Sequence, residues 1–325
     1  MCPHATTDGC ENHAPGFIRA ALASPAPYHT EENHHDTRNR LTMTANHRRT
    51  RTRRPGQPTR PTRSIYDPIH FGIDENGIPV EVTLMYRNLL CGGEPGSGKS
   101  SLLNTIIAHA ALSTDARLWL LDGKIVELGL WRPVADIFVG NTITDALTRL
   151  RELQAEMDIR YRLLDAAGRR KILRTDGLDV ILCVIDELAY YSVTIGSKEE
   201  QDEFRNLVRD LVARGRAAGI IVIAATQRPS ADIIPTSLRD LFGFRVAFRC
   251  TTDSSSDIVL SVGWAKEGYS ARNIRPEDLG VGWLLAEGGI PRRFKAAYLN
   301  DAQVRAIIAA AQMIRQNRSD PGPAA

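Results

Sequence analysis

Residues 91–101 read Cys-Gly-Gly-Glu-Pro-Gly-Ser-Gly-Lys-Ser-Ser. Gly93 is followed, after four residues, by Gly98, Lys99 and Ser100, which is the spacing of a phosphate-binding loop. The stretch Gly93, Glu94, Pro95, Gly96, Ser97 and Gly98 can curl so that main-chain N–H groups converge on phosphate oxygens. A helix opening at Lys99, Ser100 and Ser101 would add its positive N-terminal end. Lys99 is then placed to reach the β- and γ-phosphates, and the Ser100 hydroxyl to ligate Mg²⁺. The loop implies a bound nucleoside triphosphate without saying what its energy is used for.

Two further stretches bear on that use. Asp186 and Glu187 end the apolar run "DVILCVIDE". A carboxylate leaving a buried strand tip can hold Mg²⁺ through water, so Asp186 is the metal candidate. Its neighbour Glu187 can orient and deprotonate an attacking water, and that pairing points to hydrolysis rather than transfer to an acceptor. Thr226 and Gln227 end the next apolar run, in "AATQRPS" (224–230). A polar side chain there would lie beside the Asp186 tip and could sense the γ-phosphate. Alone, each stretch also reads as an ordinary polar strand end. Following a phosphate loop, they read as one catalytic set of Lys99, Glu187 and Gln227.

Competing nucleotide classes fall away on the same residues. There is no Asn-Lys-x-Asp guanine-reading motif, so ATP is expected rather than GTP. "LSVGW" (260–264) is a poor match to the signature of transporter cassettes. A nucleotide switch without hydrolysis would not need the Asp186–Glu187 pair.

These residues need strands that end together. "PVEVTL" (79–84) alternates as a strand, and "NLLCG" (88–92) is a short buried strand feeding the loop. A helix is expected from Lys99 to about Leu112, a strand at 117–121, and a helix from Asp145 to about Leu164, where Leu147, Leu150, Leu153, Met157, Tyr161 and Leu164 recur at helical spacing. Strands at 179–186 and 219–226 flank an amphipathic helix carrying Phe204, Leu207, Val208, Leu211 and Val212. "RVAFRC", "GWLLAE" and "RRFKAAYL" read as further strands, and 301–315 as a terminal helix. Apolar strands alternating with helices imply a mostly parallel sheet covered on both faces, an α/β fold.

The chain has 325 residues, 43% hydrophobic and 24% charged, a balance that fits a soluble globular protein. No apolar run reaches bilayer-spanning length and no secretory core precedes the domain, so a cytoplasmic location is expected. The net charge of +3 is uneven: residues 1–64 hold ten arginines and five acids, and the rest is slightly acidic. From Thr37 to Arg63 there are nine arginines and no acid, interleaved with Pro and Thr, which predicts a disordered segment able to clamp nucleic-acid phosphates without sequence preference. A solvated tail has the same composition. Cys2, His4, Cys10 and His13 match no zinc spacing. Met43 is an alternative start that would remove the His-rich leader and keep the basic run. The expected organisation is a disordered segment over 1–64, an ATPase domain over 65–300, and a C-terminal helix and tail over 301–325.

From about Ile65 to Leu299 the residues resemble the motor domain of FtsK/SpoIIIE-type DNA translocases. The stretches that carry the resemblance are "GGEPGSGKSSLLNTI", "LLDGKIVELGLW", "EMDIRYRLLDAAGRRKI", "VIDELAYY" and "RGRAAGIIVIAATQRPSADII". The second has Asp122-Gly123-Lys124 where the family more often has Asp-Pro-Lys, and "TTDSSSD" (251–257), read as a loop, carries acids where many relatives have Lys and Arg. The compact build is similar to Tra-type conjugative transfer proteins of actinomycete plasmids.

The resemblance implies a RecA-like P-loop NTPase that assembles as a ring, usually a hexamer, around double-stranded DNA, with ATP and Mg²⁺ bound between subunits. It implies that Lys99 and Ser100 hold phosphate and metal, Asp186 supports the metal, Glu187 activates water and Gln227 senses phosphate. It also implies an arginine finger from a neighbouring subunit, for which Arg216, Arg245 and Arg249 are candidates. The activity implied is ATP-driven DNA translocation in conjugative plasmid transfer or chromosome segregation, with a separate membrane-anchoring partner where one is needed. The alternative on the same fold is a type VII secretion-like ATPase that moves a polypeptide.

Overall fold

The computed structural model describes residues 63–319. The arginine-rich segment read as disordered, and the histidine-rich leader before it, lie outside the described residues, as does the end of the C-terminal tail. The elements are β1 (Ile69–Asp74), β2 (Pro79–Val82), β3 (Leu89–Gly92), α1 (Lys99–Ala111), β4 (Ala116–Leu121), β5 (Ile137–Val139), α2 (Ile143–Ala166), β6 (Val180–Ile185), α3 (Lys198–Arg214), β7 (Ile220–Thr226), α4 (Thr236–Arg239), β8 (Phe244–Phe248), α5 (Asp253–Leu260), β9 (Val281–Ala286), β10 (Arg292–Ala296) and α6 (Asp301–Ser319).

All ten strands form one sheet in the order β2-β1-β10-β9-β8-β3-β7-β6-β4-β5. The run from β8 to β5 is parallel. Beyond β8, the strands β9, β10, β1 and β2 pair antiparallel and form a wing. The sheet is therefore mostly parallel, as the apolar strands require. β6 and β7 are buried at every residue because helices cover both of their faces.

On one face Leu90, Leu121, Ile181, Cys183 and Val222 pack with Leu150 and Met157 of α2, Phe204 and Leu211 of α3, and Val259 of α5. On the other, α1 lies against β1 and β4 with Leu102, Leu103, Ile106 and Ile107 fully buried, and α6 lies along α1. Ser197 starts α3 with a capping box: its hydroxyl accepts from Glu200 N–H at 3.2 Å, and the Glu200 carboxylate accepts from Ser197 N–H at 2.8 Å. The "EMDIRY" stretch of α2 buries Arg160, which donates to Glu156 at 2.8 Å and to the Ala218 carbonyl at 3.0 Å. Cys91, Cys183 and Cys250 are free buried thiols, and burial pushes each up to about 12.

Three elements differ from the expectation. The acidic stretch "TTDSSSD" is no loop: Thr252 caps α5 by accepting the Ser255 N–H at 3.0 Å, and the helix runs from Asp253 to Leu260. Its acids are used internally, since Asp257 accepts from the N–H groups of Gly263 and Ala265, both at 2.9 Å. β1 and the three-residue β5 were not anticipated, because each is shorter or more mixed than a periodic pattern can mark. Among the described residues no helix is long and apolar enough to cross a membrane.

Candidate nucleotide site

Parallel pairing sets the site. β7 lies between β3 and β6, with Gly92 level with Thr226 and Ile185 level with Ala224. The loop after β3, the acids after β6 and the polar pair after β7 therefore leave the same carboxyl edge, where open α/β sheets place their ligands.

The loop itself needs glycine. Gly93 and Gly98 sit at φ of 151° and 124°, in the left-handed half of backbone space. A Cβ on Gly98 would stand 2.6 Å from the Gly280 Cα, a backbone contact that cannot yield cheaply. The loop is tied to its surroundings by main-chain bonds: Gly93 N–H donates to the Thr226 carbonyl at 3.3 Å, Glu94 N–H to the Arg249 carbonyl at 2.8 Å, and Gly280 N–H to the Ser97 carbonyl at 3.0 Å. The Ser97 hydroxyl closes the turn on the Glu94 carbonyl at 2.6 Å, while Pro95 and Gly96 are exposed. Lys99 is buried, and its ammonium donates to the carbonyls of Gly93 and Glu94 at 2.6 and 2.7 Å. Burial lowers the Lys99 pKa, with nearby acids opposing that shift. Ser100 and Ser101, half-buried, begin α1.

The two acids are treated differently. Asp186 is buried and its Oδ2 has no hydrogen-bond partner among the described residues. Burial, followed by the charges of Glu127 and Asp122, pushes its carboxyl up to about 7. Glu187 is fully engaged: Oε1 accepts from the Thr226 hydroxyl at 2.6 Å and from Ala189 N–H at 3.1 Å, and Oε2 accepts from Gln227 N–H at 2.8 Å. Gln227 thus meets Glu187 through its main chain.

A hard divalent cation takes oxygen donors, and the Ser100 hydroxyl and the orphan Asp186 oxygen are of that kind. Among the described residues no group of three or more His, Cys, Asp or Glu could hold a metal alone. The arrangement suits a cation completed by water and ligand phosphates, the usual Mg²⁺ pattern, rather than a closed protein cage.

The three arginines are not brought together. Arg249 forms an ion pair with Glu94 of its own loop at 2.5 Å. Arg245, in β8, points inward and donates to the Leu260 carbonyl at 3.1 Å, and burial lowers its pKa. Arg216 is exposed in the turn Gly215–Ala218, before β7 starts. The seven residues of β7 separate it from Thr226 by about 20 Å at ~3.3 Å per residue, so it lies at the opposite edge of the sheet.

Sequence reasoning missed Glu127. Its carboxylate accepts the Ser100 hydroxyl at 3.2 Å and lies 3.5 Å from the Lys124 ammonium. It was visible only as an acid five residues after Asp122, with nothing in the spacing to say that the loop folds back onto α1.

Residues 46–179 match the model of the FtsK/SpoIIIE family. The DNA translocase FtsK of Treponema pallidum is 30% identical over 269 residues, covering 74% of this chain and 31% of that protein. The chain thus spans about a third of the length of the curated relatives it matches. Among solved structures, the pCW3 conjugation coupling protein TcpA, a monomer with ATPγS, superposes with a TM-score of 0.66 at 25% identity, covering 77% of this chain and 71% of that one. The cytoplasmic domain of the type VII secretion ATPase EccC from Thermomonospora curvata gives a TM-score of 0.60 at 22% identity, over 78% of this chain and 32% of that one, a likeness of fold.

Proposed function

We propose that this chain, which carries an FtsK/SpoIIIE-type motor domain with the RecA-like P-loop fold, hydrolyses ATP to move double-stranded DNA in conjugative transfer or chromosome segregation. The observation that carries the reading is the bonding of Glu187 to Thr226 and Gln227, beside the phosphate loop. The group that would activate water is bonded to the start of the loop that leaves the site, so a change at one is felt at the other.

Each residue has a defined part in this reading. Lys99 exchanges its two carbonyl partners for the β- and γ-phosphates and offsets charge on the transferring group. Ser100 and Asp186 hold Mg²⁺, which supplies countercharge to the phosphate oxygens. Glu187 accepts the proton of the attacking water. Gln227 would sense loss of the γ-phosphate, and its main-chain bond to Glu187 would pass that change to the "RPSADII" loop. Glu94 and Ser97 keep the loop shaped for phosphate.

The site is half-built within one chain, because no arginine of this set is free to reach it. Of the candidates, Arg249 is paired with Glu94 and Arg245 points inward, while Arg216 is exposed at the far edge, where a ring neighbour would present it. A homo-oligomeric ring, a hexamer as the family resemblance implies, with Arg216 acting in trans, completes the reading, and a separate partner would recruit it to a membrane. Polypeptide export by a type VII-like ATPase shares only the fold here.

The experiment is electron microscopy of Glu187→Gln protein with ATP and linear duplex DNA. Rings threaded on DNA are expected. Monomers, or rings that exclude DNA, contradict the proposal, and recovery of small helical secreted proteins in place of DNA would favour export.

A further inference from the structure

The loop between β4 and β5 is built with more care than a connection requires. Asp122 is fully buried and uses both carboxylate oxygens on main-chain donors, Lys124 N–H at 3.0 Å and Leu128 N–H at 2.8 Å, while Ile125 N–H donates to the Asp122 carbonyl at 3.1 Å. Ile125 is held at φ of 68°, an unusual conformation for a β-branched residue. Leu128 and Trp131 are buried, and the Trp131 indole donates to Asn104 of α1 at 2.8 Å. Asn104 lies one turn beyond Ser100, so the loop is fastened to the helix that carries the cation-binding hydroxyl.

This scaffold delivers one carboxylate to one hydroxyl. The Ser100 hydroxyl donates to Glu127 Oε2 at 3.2 Å, and the other Glu127 oxygen lies 3.5 Å from Lys124. The Asp186 Oδ2, buried and without a partner among the described residues, is the second oxygen in the same acidic neighbourhood. Glu127 and the Ser100 hydroxyl are in contact and Asp186 feels the Glu127 charge, with partly exposed Lys124 and buried Lys99 as the nearby positive charges.

We propose that Glu127 is a further positioning carboxylate of the divalent-cation site, orienting with Ser100 and Asp186 the hydrated cation that accompanies the nucleotide. The inference rests on the nucleotide reading above. Glu127 accepts the Ser100 hydroxyl hydrogen, which leaves the lone pairs of the Ser100 oxygen available to a cation. With a cation bound, Ser100 would offer its oxygen to the metal and Glu127 would accept hydrogen bonds from metal-bound water. Outer carboxylates of this kind change metal affinity by about 10–100-fold when removed.

The test is titration of Mn²⁺, followed by electron paramagnetic resonance, into the full chain saturated with a non-hydrolysable ATP analogue. Glu127→Gln is expected to raise the Mn²⁺ midpoint about tenfold or more and to leave metal-free binding of the analogue unchanged. A midpoint equal to that of the unmodified protein overturns the inference, and a lower one shows Glu127 competing with the cation instead. If Glu127→Gln does not fold, Glu127→Asp is titrated: a raised midpoint supports the role and an unchanged one removes it. Lys99→Ala separates the two layers. If it still binds the analogue normally, the nucleotide reading fails and takes this inference with it. If it loses the analogue while Glu127→Gln keeps the ordinary midpoint, only the inference fails.

Discussion

The Thr226 hydroxyl donates to Glu187 Oε1 at 2.6 Å and so joins the tip of β7 to the tip of β6. Both residues are buried, and the register that aligns Thr226 with Gly92 places this bond next to the phosphate loop. The acid that would handle water is therefore fixed by the strand whose following loop would carry motion away.

Thr226→Val removes that donor and keeps the volume. Glu187 retains the N–H groups of Ala189 and Gln227 but loses its shortest bond. Leaving a buried carboxylate one partner short costs about 1–3 kcal/mol, seen as a lowered Tm. The ratio of DNA-stimulated to basal hydrolysis should fall as well, because the acid is no longer tied to the loop. A normal ratio with a lowered Tm would reduce the bond to a structural one.

Asp186 sets a pH dependence. Burial and the neighbouring acids raise its carboxyl from 3.8 to about 7 in the folded protein. The native state thus binds the proton more tightly than the unfolded chain, so this group contributes stability that is full below about pH 4 and is lost as pH rises through 7. A cation prefers the ionised form, and its affinity should run the other way. Mg²⁺ binding with an ATP analogue should tighten by up to about tenfold per pH unit from pH 5 to 7 and level off above. Calorimetry in buffers of different ionisation enthalpy should detect proton release near neutral pH, and Asp186→Asn should abolish both effects.

Arg216 is exposed, and its loss should leave the Tm unchanged. As the trans arginine, its removal should lower ring hydrolysis by about 10³-fold or more. Mixing inactive Arg216→Ala subunits with inactive Lys99→Ala subunits should restore activity, because some sites then pair an intact loop with an intact arginine. No recovery in mixed rings would shift the role to another residue.

Much of this arrangement was legible in the sequence, for a physical reason. β3, β6 and β7 are continuous apolar runs that end in polar residues, and parallel pairing then forces Gly93, Asp186 and Thr226 to one edge. Three strands of the antiparallel wing, β2, β9 and β10, were legible as well, whereas β1 was not, because its mixed burial breaks the alternation. "TTDSSSD" looked like a loop because Ser and Asp favour turns, yet Thr252 followed by Asp253 and Ser255 is equally a helix start. Glu127 was hidden because its partner Ser100 lies 27 residues away and the turn that joins them rests on an uncommon backbone angle at Ile125. The Arg249–Glu94 pair was hidden likewise, as it depends on β8 lying beside β3.

The most direct measurement is steady-state ATP hydrolysis by the purified chain with and without linear duplex DNA, with Glu187→Gln as the companion variant. The account predicts that duplex DNA raises the rate several-fold, that Glu187→Gln abolishes turnover under both conditions, and that this variant still binds ATP. Equal hydrolysis with and without DNA, or turnover that survives Glu187→Gln, would contradict it.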